Sequence, residues 1–266
     1  MKCNPANPQE GGKIDIWEET YPVRFGAIDK SDRLTLDTVF NYFQEAAISH
    51  AENLGVGREA MAQTGQGWVL SRLTVLINRR PKYCETITVR SWPRGGEKLF
   101  AMRNFDIRDK DNIPVVAAKS AWIIVDIEKR RPLRPQFIMD QLPQNDGIDT
   151  IPSEANAVAG LPERGNLTKA AEQKALYTDI DFNGHVNNVS YIKWIEDTLD
   201  PLLLENADKI RMDINYLSEV LLGEDIELLS AKIEDTDCDH AFAFEGRRKE
   251  NGQAAFRAEL RLSSCC

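Results

Sequence analysis

Two stretches of the chain share one pattern, a turn-rich loop followed by an amphipathic helix. Apolar residues recur every three or four positions over 36–47 and again over 189–199, which predicts a helix in each stretch. The loops before these helices start at Asp29 and Asp181, and an offset of 152 residues superposes both loops and both helices without a gap. The same loop-and-helix unit is therefore predicted to occur twice.

Short segments in which apolar and polar residues alternate follow each helix, and this is the pattern of half-buried β-strands. The clearest segment is 256–262, where every second residue is apolar. An offset of 139 residues places Ile87 on Ile226, and it also places Arg80 on Glu219. The strands predicted in this way span 68–77, 85–90, 100–107 and 115–125 in the first half and 210–216, 225–232, 241–244 and 256–262 in the second.

The two units are predicted to be joined by 136–169, which is rich in Pro, Gly, Asn and Asp and shows no sustained period. The chain then divides into a first half over 1–135, this linker, and a second half over 170–266. Each half is expected to wrap an antiparallel sheet around a long helix, and the two sheets are expected to join edge to edge because this hides exposed strand edges. The predicted fold class is α+β, a double (tandem) hotdog.

The composition is that of a globular protein that does not bind nucleic acid. Of the 266 residues, 42% are hydrophobic, and the formal net charge is −9, whereas proteins that bind phosphate backbones present clustered Lys and Arg. No membrane span is expected, and 1–12 lacks the apolar core of a signal peptide, so a cytoplasmic location is expected. Five cysteines without a Cys-x-x-Cys pair support neither a disulfide framework nor a zinc site, so no metal or cofactor is expected.

The segment 181–188 is the strongest candidate for chemistry. Asp181, Asn183 and His185 alternate, so in an extended segment their side chains leave the same side of the backbone. A carboxylate, a carboxamide and an imidazole would then face one cavity. The alternative is that these are turn and helix-cap residues, since Asp, Asn and Gly are common in both roles. The other two histidines, His50 and His240, are interpreted as structural or surface residues.

The repeat helps to separate these alternatives. The first-half equivalents of Asn183, His185 and Glu219 are Ser31, Arg33 and Arg80. The scaffold is thus duplicated while the polar set occurs once, which favours a single catalytic site in the second half. Asp29 matches Asp181, so part of the role of Asp181 is predicted to be structural.

The loop and the helix behind it resemble those of the acyl-acyl carrier protein (acyl-ACP) thioesterases known from plant plastids and bacteria. The matching motif is Asp181-x-Asn183-x-His185-Val186-Asn187-Asn188, with Tyr191 and Trp194 behind it. Weaker matches are Trp92-Pro93, Arg103-x-Phe105-x-Ile107 and Trp122, and the resemblance covers Trp17 to Leu262. It implies hydrolysis of fatty acyl-ACP to free fatty acid and carrier protein.

The resemblance also implies a catalytic set of Asp181, Asn183, His185 and, on the strand after the helix, Glu219. Plant members carry a cysteine directly after that glutamate, whereas this chain has Val220, so a Cys-His mechanism is excluded at this position. Glu219 or Asp181 would act as general base on water or as the nucleophile, and the sequence does not separate them. His185 would orient or relay the proton, and Asn183 would hold the water or polarise the thioester. Backbone N–H groups at the start of the helix would stabilise the oxyanion.

The partner implied by the resemblance is an acidic acyl carrier protein bearing a phosphopantetheine thioester, which calls for a basic surface on this acidic chain. The run 129–134 is the densest candidate, ahead of 79–82 and 247–249, although such runs are usually solvated faces. Candidate walls of an acyl tunnel, or of a plain core, are Phe40, Phe43 and Trp68. Two other functions stay open, a hotdog thioesterase for acyl-coenzyme A and a catalytically silent lipid-binding double hotdog. The chain is expected to be a monomer or homodimer.

Overall fold

The computed structural model describes residues 13–145, 147–148, 150–151, 155, 157–158, 160 and 168–264. The strands are β1 (Trp17–Pro22), β2 (Gln66–Ile77), β3 (Thr86–Glu97), β4 (Phe100–Arg108), β5 (Pro114–Asp126), β6 (Arg131–Leu133), β7 (Thr168–Lys174), β8 (Lys209–Tyr216), β9 (Asp225–Lys232), β10 (His240–Arg248) and β11 (Ala254–Ser263). The helices are α1 (Leu36–Asn53), α2 (Arg58–Gln63), α3 (Gln136–Met139), α4 (Asn188–Glu196) and α5 (Pro201–Asn206). All eight predicted strands and both predicted helices are present, which confirms the predicted α+β fold.

The two sheets join edge to edge, as predicted. The strand order is β1-β3-β4-β5-β2-β8-β11-β10-β9-β7, with β6 added beside β5, and β2 and β8 pair antiparallel at the centre. Thr74 and Asp213, which the 139-residue offset relates, lie directly opposite each other, and the Thr74 hydroxyl donates to Asp213 Oδ1 at 2.6 Å. The repeat read from the sequence is therefore a pseudo-twofold axis that passes through this pair.

One apolar core runs through both halves and lies between the sheet and the helices. The buried residues of α1 recur with the predicted helical period, and they include Leu36, Val39, Phe40 and Phe43. Glu196 at the end of α4 accepts hydrogen bonds from the N–H groups of Leu36 (3.1 Å) and Asp37 (3.2 Å) at the start of α1. Since α1 begins where α4 ends, the pseudo-twofold axis places the start of α4 near the end of α1.

The two halves differ most in the segment between helix and sheet. In the second half α4 is only nine residues long, and α5 follows it with Asp200 as N-cap and Pro201 in its first turn. In the first half α1 has eighteen residues, and the chain then forms α2 before it enters β2. This extra segment accounts for the difference between the offsets of 152 and 139 residues. It packs in a small second core, whose buried members include Leu54, Met61, Ile124 and Ile138.

The strands at both edges of the sheet, β1 and β7, were not predicted from the sequence. The sequence of β7 is TKAAEQK, in which two alanines are the apolar residues, so no alternation marks it. The described part of the predicted linker lies against the rest of the protein. Ile138 and Met139 in α3 are buried, and the N–H of Val158 donates to Asn215 Oδ1 on β8 at 2.8 Å.

Candidate active site

The loop that carries the predicted site residues is a tight hydrogen-bonded turn. Ile180 and Val186 form a β-bridge across it, and the N–H of Asp181 donates to the His185 carbonyl at 2.8 Å. Gly184 supplies the left-handed residue of the turn, with φ of 82°, and its N–H donates to the Asp181 carbonyl at 3.0 Å. Because glycine adopts positive φ without a steric cost, the loop reaches this geometry without strain.

Asp181 serves the turn itself. Its Oδ1 accepts from the N–H of Asn183 at 2.7 Å, and the Asn183 side-chain amide lies 3.4 Å from its Oδ2. Asp29 does the same in the first loop, where Oδ1 accepts from the N–H of Ser31 at 2.8 Å. This shared arrangement supports the prediction that Asp181 has a structural role.

His185 and Glu219 form the second pair in the site. Val186 N–H donates to the Val220 carbonyl at 2.8 Å, and His185 bridges Leu221, so the loop runs beside the segment after β8. This register brings His185 Nε2 to 3.3 Å from Glu219 Oε2, with the imidazole 32% and the carboxylate 54% exposed. The contact requires Nε2 to carry the proton, which leaves Nδ1 as an acceptor in the neutral ring. The predicted residues thus lie in one loop region as two pairs, Asp181 with Asn183 and His185 with Glu219.

The start of α4 offers fewer free donors than the sequence analysis expects. Asn187 caps the helix, with Oδ1 accepting from the N–H of Val189 at 2.9 Å, and its own N–H donates to the Asp179 carbonyl at 2.7 Å. The N–H of Ser190 donates back to the Asn187 carbonyl at 2.9 Å. The N–H of Asn188 has no acceptor among the residues that the structure describes. An oxyanion at this helix start would therefore be held by Asn188.

Tyr191 lies beneath the loop, on the first turns of α4. Burial raises the pKa of its phenol, and the nearby carboxylates of Asp181 and Glu219 add to this while Arg248 opposes it. The hydroxyl is therefore neutral at physiological pH. The Tyr191 ring packs on Phe256 at a centroid distance of 4.8 Å and on Tyr216 at 5.9 Å, so it is held in the aromatic core.

The equivalent region of the first half is filled by its own polar residues. Arg80, whose side chain is 2% exposed, donates from Nη1 to Asp29 Oδ2 at 2.5 Å and from Nη2 to the Leu204 carbonyl at 2.6 Å. Arg33 donates to the carbonyl of Ala207 at 3.3 Å. Burial raises the pKa of Asp29, but hydrogen bonds from Ser31 and Arg80 outweigh it and leave that pKa lowered. These groups bind the first loop to α5 and the segment after it. Among the described residues of the first loop, no imidazole–carboxylate pair corresponds to His185 and Glu219.

The two remaining histidines lie away from the loop. His50 is fully buried on α1, where Nε2 donates to the Ile14 carbonyl at 2.7 Å and Nδ1 accepts from Arg103 at 3.0 Å. Burial, helped by the charge of Arg103, lowers the pKa of His50 to about 4, so the ring is neutral. His240 begins β10 and is partly exposed. Both positions agree with the structural and surface roles predicted for them.

Three basic runs were candidates for a docking surface, and acidic neighbours neutralise two of them. Arg79 pairs with Glu85 and Asp109, and Arg80 is buried. The ion pairs of the third run are Arg247 with Glu245, Arg248 with Glu224, and Lys249 with Glu172. In the run 129–134, Lys129 pairs with Asp126 at 3.3 Å. Arg130, Arg131 and Arg134 are exposed and form no ion pair with any described residue.

One neighbour of the loop, the helix α2, was not predicted from the sequence. Phe182, between Asp181 and Asn183, is 70% exposed, and the Arg58 guanidinium carbon lies 3.1 Å from the centroid of its ring. Nothing in the sequence marks a contact between residues so far apart along the chain. Within the described ranges, no three His, Cys, Asp or Glu side chains are placed to hold a metal ion, and no helix is long and apolar enough to cross a membrane.

Comparison with known proteins gives one consistent family. Residues 15–140 match the description "Acyl-ACP thioesterase N-terminal domain", and residues 164–261 match "Acyl-ACP thioesterase C-terminal domain". The chloroplastic palmitoyl-acyl carrier protein thioesterase of Cuphea hookeriana is 25% identical over 227 residues, which are 81% of this chain and 54% of that protein. The chain thus spans about half the length of the curated relatives it matches.

Two solved structures share the fold over nearly the whole chain. The acyl-ACP thioesterase from Bacteroides thetaiotaomicron superposes with a TM-score of 0.79 at 24% identity, over 94% of this chain and 98% of that one. The 12:0-ACP thioesterase from Umbellularia californica superposes with a TM-score of 0.75 at 19% identity, over 96% of this chain and 100% of that one. The double hotdog predicted from the sequence is the fold of these proteins.

Proposed function

The chain belongs to the acyl-ACP thioesterase family, and from this premise we propose that it hydrolyses fatty acyl-ACP to free fatty acid and carrier protein. The observation that carries the proposal is the pair His185 and Glu219, a half-exposed imidazole and carboxylate 3.3 Å apart beside a helix start. The pair has no counterpart in the first half, where Arg33 and Arg80 occupy the equivalent positions.

In the proposed mechanism Glu219 is the general base. It takes a proton from a water molecule as the water oxygen attacks the thioester carbonyl carbon. Glu219 is a better candidate than Asp181, because the carboxylate of Asp181 already accepts hydrogen bonds from Asn183 within the turn. His185 orients Glu219 through its Nε2–H. After the carbon–sulfur bond breaks, protonated Glu219 gives its proton to the departing thiolate, so the products are a fatty acid and a thiol and Glu219 is again a carboxylate.

The remaining groups hold the reacting carbonyl. The N–H of Asn188 donates to the oxyanion of the tetrahedral intermediate, because it is the unpaired donor at the positive end of the α4 dipole. The exposed amide of Asn183 polarises the thioester or holds the water. A thiol takes no part, since the residue after Glu219 is the fully buried Val220.

The test compares two thioesters of one acyl chain, the first on carrier protein and the second on coenzyme A. We expect hydrolysis of the acyl carrier, followed as free thiol released, with a kcat/KM at least about tenfold above that for the coenzyme A ester because charged partner surfaces raise the rate of encounter. A preference for coenzyme A would instead identify an acyl-coenzyme A thioesterase. Acyl-chain binding without turnover of either ester would identify a silent lipid-binding protein.

A further inference from the structure

The tip of the second loop is held by the other half of the protein. Phe182 projects from the loop with 70% of its surface exposed, so its own half packs it weakly. The Arg58 guanidinium lies over the face of its ring, 3.1 Å from the centroid, which is within the range of a cation–π contact. Arg58 belongs to α2, the segment that the first half has and the second half lacks.

Arg58 is itself firmly placed. Its N–H donates to Glu52 Oε1 at 2.7 Å, and Met61, one turn further along α2, is 4% exposed in the second core. Trp68 fixes the start of this segment, since its ring N–H donates to the Val56 carbonyl at 2.9 Å. A cation in the first turn of a helix is opposed by the helix dipole, so helix stability does not account for an arginine at this position.

The inactive loop has a contact of the same kind with different chemistry. Lys30, the equivalent of Phe182, forms a 2.7 Å ion pair with Glu205 on α5 of the second half. Each loop tip is therefore bound by a helical segment of the opposite half. The contact of Arg58 with Phe182 in the second loop, unlike that of Lys30 with Glu205, brings no further carboxylate next to the loop aspartate, here Asp181. Arg58 forms no ion pair with any residue in the described part of the chain.

We infer that Arg58 is a positioning residue of the active site, which acts through Phe182 to hold the turn between Asp181 and Asn183 in its working geometry. This inference rests on the proposed function for its kinetic readout. It makes the site a joint product of both halves, because the chemistry comes from one half and the restraint on its loop from the other. The contact lies at the loop tip and touches none of the reacting groups.

The test uses a carrier-free acyl-pantetheine thioester, so that docking of a protein partner has no influence. We expect Arg58→Ala and Phe182→Leu each to lower kcat at least about fivefold with KM nearly unchanged, since small displacements of a catalytic group are costly. The double variant should be no slower than the slower single variant, and Arg58→Lys should restore part of the rate. The matched control is Lys30→Ala, which removes the equivalent contact of the inactive loop and should leave kcat unchanged.

Two results would overturn the inference. One is wild-type kcat in Arg58→Ala on the carrier-free ester, including the case in which only the KM for acyl carrier rises. The other is a double variant whose losses multiply. If the wild-type protein hydrolyses no thioester, the proposed function fails, and amide hydrogen exchange still tests the contact. Exchange at 181–185 should then be faster in Arg58→Ala than in the wild type or in Lys30→Ala, and equal exchange in all three would reject it.

Discussion

The two loops of this protein have the same backbone and opposite uses. The N–H of Asp29 donates to the Arg33 carbonyl at 2.9 Å, as that of Asp181 donates to the His185 carbonyl at 2.8 Å. Each loop also bridges the segment after its own central strand, through Arg33 with Lys82 in the first half and His185 with Leu221 in the second. Duplication has thus preserved the hydrogen-bonded frame, and a few side chains decide what each copy does.

The side chains differ in burial and in partners. In the first loop Arg80 is almost fully buried and its guanidinium binds both Asp29 and the carbonyl of Leu204 on α5. These polar groups therefore bind one another and the neighbouring helix and are not available to a substrate. In the second loop His185 and Glu219 are partly exposed and bind each other. An exposed pair adds little to stability but remains accessible to a substrate. The first loop thus uses its polar groups to stabilise the fold, whereas the second keeps a polar pair open to solvent.

The largest expected effect is the loss of turnover when the second pair is broken. Glu219→Gln and His185→Ala should each lower kcat by at least about a hundredfold, the usual scale for a lost general base or proton relay. Both changes should leave the fold intact, because neither side chain is buried. Steady-state kinetics on acyl carrier, with circular dichroism to check folding, measures this.

The matched control for this prediction is Arg33→Ala, the change at the position equivalent to His185. It should leave kcat within about twofold of the wild type, since the Arg33 side chain contacts the segment just after α5, at the Ala207 carbonyl and at Asp208. Wild-type turnover in a well-folded Glu219→Gln variant would remove Glu219 from the mechanism.

The reverse experiment is directed at the first loop. Arg80→Leu leaves Asp29 Oδ2 and the carbonyl of Leu204 without their donor, so it should lower the free energy of unfolding by about 2 kcal/mol. This is below the usual cost of breaking a fully buried pair because Asp29 is 23% exposed. Urea unfolding measures the loss, and kcat of the folded variant should stay near the wild-type value. Equal stability of Arg80→Leu and Glu219→Gln would refute the division of roles between the loops.

A third difference between the halves lies on the surface. The register of the sheet places β8, which leads to Glu219, three strands from β6 in the order β8, β2, β5 and β6. Neighbouring strands lie about 4.8 Å apart, so β6 is offset from β8 by roughly 15 Å across the sheet. β2 extends past the end of β8 and pairs there with the part of β5 that also pairs with β6. The exposed arginines on and beside β6, Arg130, Arg131 and Arg134, therefore lie at the same end of the sheet as His185 and Glu219.

Reversing the charges of Arg130, Arg131 and Arg134 to Glu should therefore raise KM for acyl carrier about tenfold at low ionic strength. It should also make the remaining activity less sensitive to salt. Hydrolysis of a small acyl thioester should not change, since these side chains lie outside the site. Unchanged carrier kinetics at low salt would mean that the run is a solvated face and that the carrier, if it is the substrate, docks elsewhere.

The sequence predicted the frame of both halves because burial fixes the period of apolar residues. The alternation in β11 and the helical period in α1 follow directly from which face of each element meets the core. The repeat then predicted that the two sheets join edge to edge and that the polar set occurs once, whereas the strands that pair at the join, β2 and β8, are known only from the structure. The edge strand β7 was not predicted, because backbone hydrogen bonds to β9 hold it in the sheet and no face of it is buried, so its sequence shows no alternation.

Contacts between the halves could not be predicted from periodicity. Arg58 meets Phe182, and Glu196 meets Leu36, only because the pseudo-twofold axis brings the start of one helix near the end of the other. The start of α4 also differs from the expectation, because the Asn187 side chain accepts from the N–H of Val189, one of the groups expected to be free. A sequence motif predicts which groups are present, but their partners depend on the packing of distant elements.

Glu196 gives a smaller, pH-dependent way to compare the halves, since the equivalent residue of α1 is Gln44. Burial, with the charge of Asp37 adding to it, raises the pKa of Glu196 from 4.5 to about 8. The folded state therefore holds a proton that the unfolded state releases between these pH values, and stability falls as pH rises through this window. Glu196→Gln should remove that fall, so that between pH 5 and 8 the unfolding free energy of the wild type drops by roughly 1 kcal/mol relative to that of the variant, a discounted figure because the side chain is partly exposed. Parallel wild-type and variant profiles from pH 5 to 8 would contradict this.

The smallest expected effects concern the cysteines, which are Cys3, Cys84, Cys238, Cys265 and Cys266. Cys84 has φ of 64° where the second half has Gly223 at 86°, so Cys84→Gly should stabilise the protein by about 0.5 kcal/mol as measured by urea unfolding. Replacing all five cysteines with Ser or Ala should preserve most of the activity, because a buried valine follows Glu219 and Cys84 lies in the half without the pair of His185 and Glu219. Stoichiometric inactivation by a thiol alkylating agent, blocked by substrate and abolished by one cysteine substitution, would mean that a thiol lies at the site. The assignment of the chemistry to carboxylate and imidazole in the second loop would then fail.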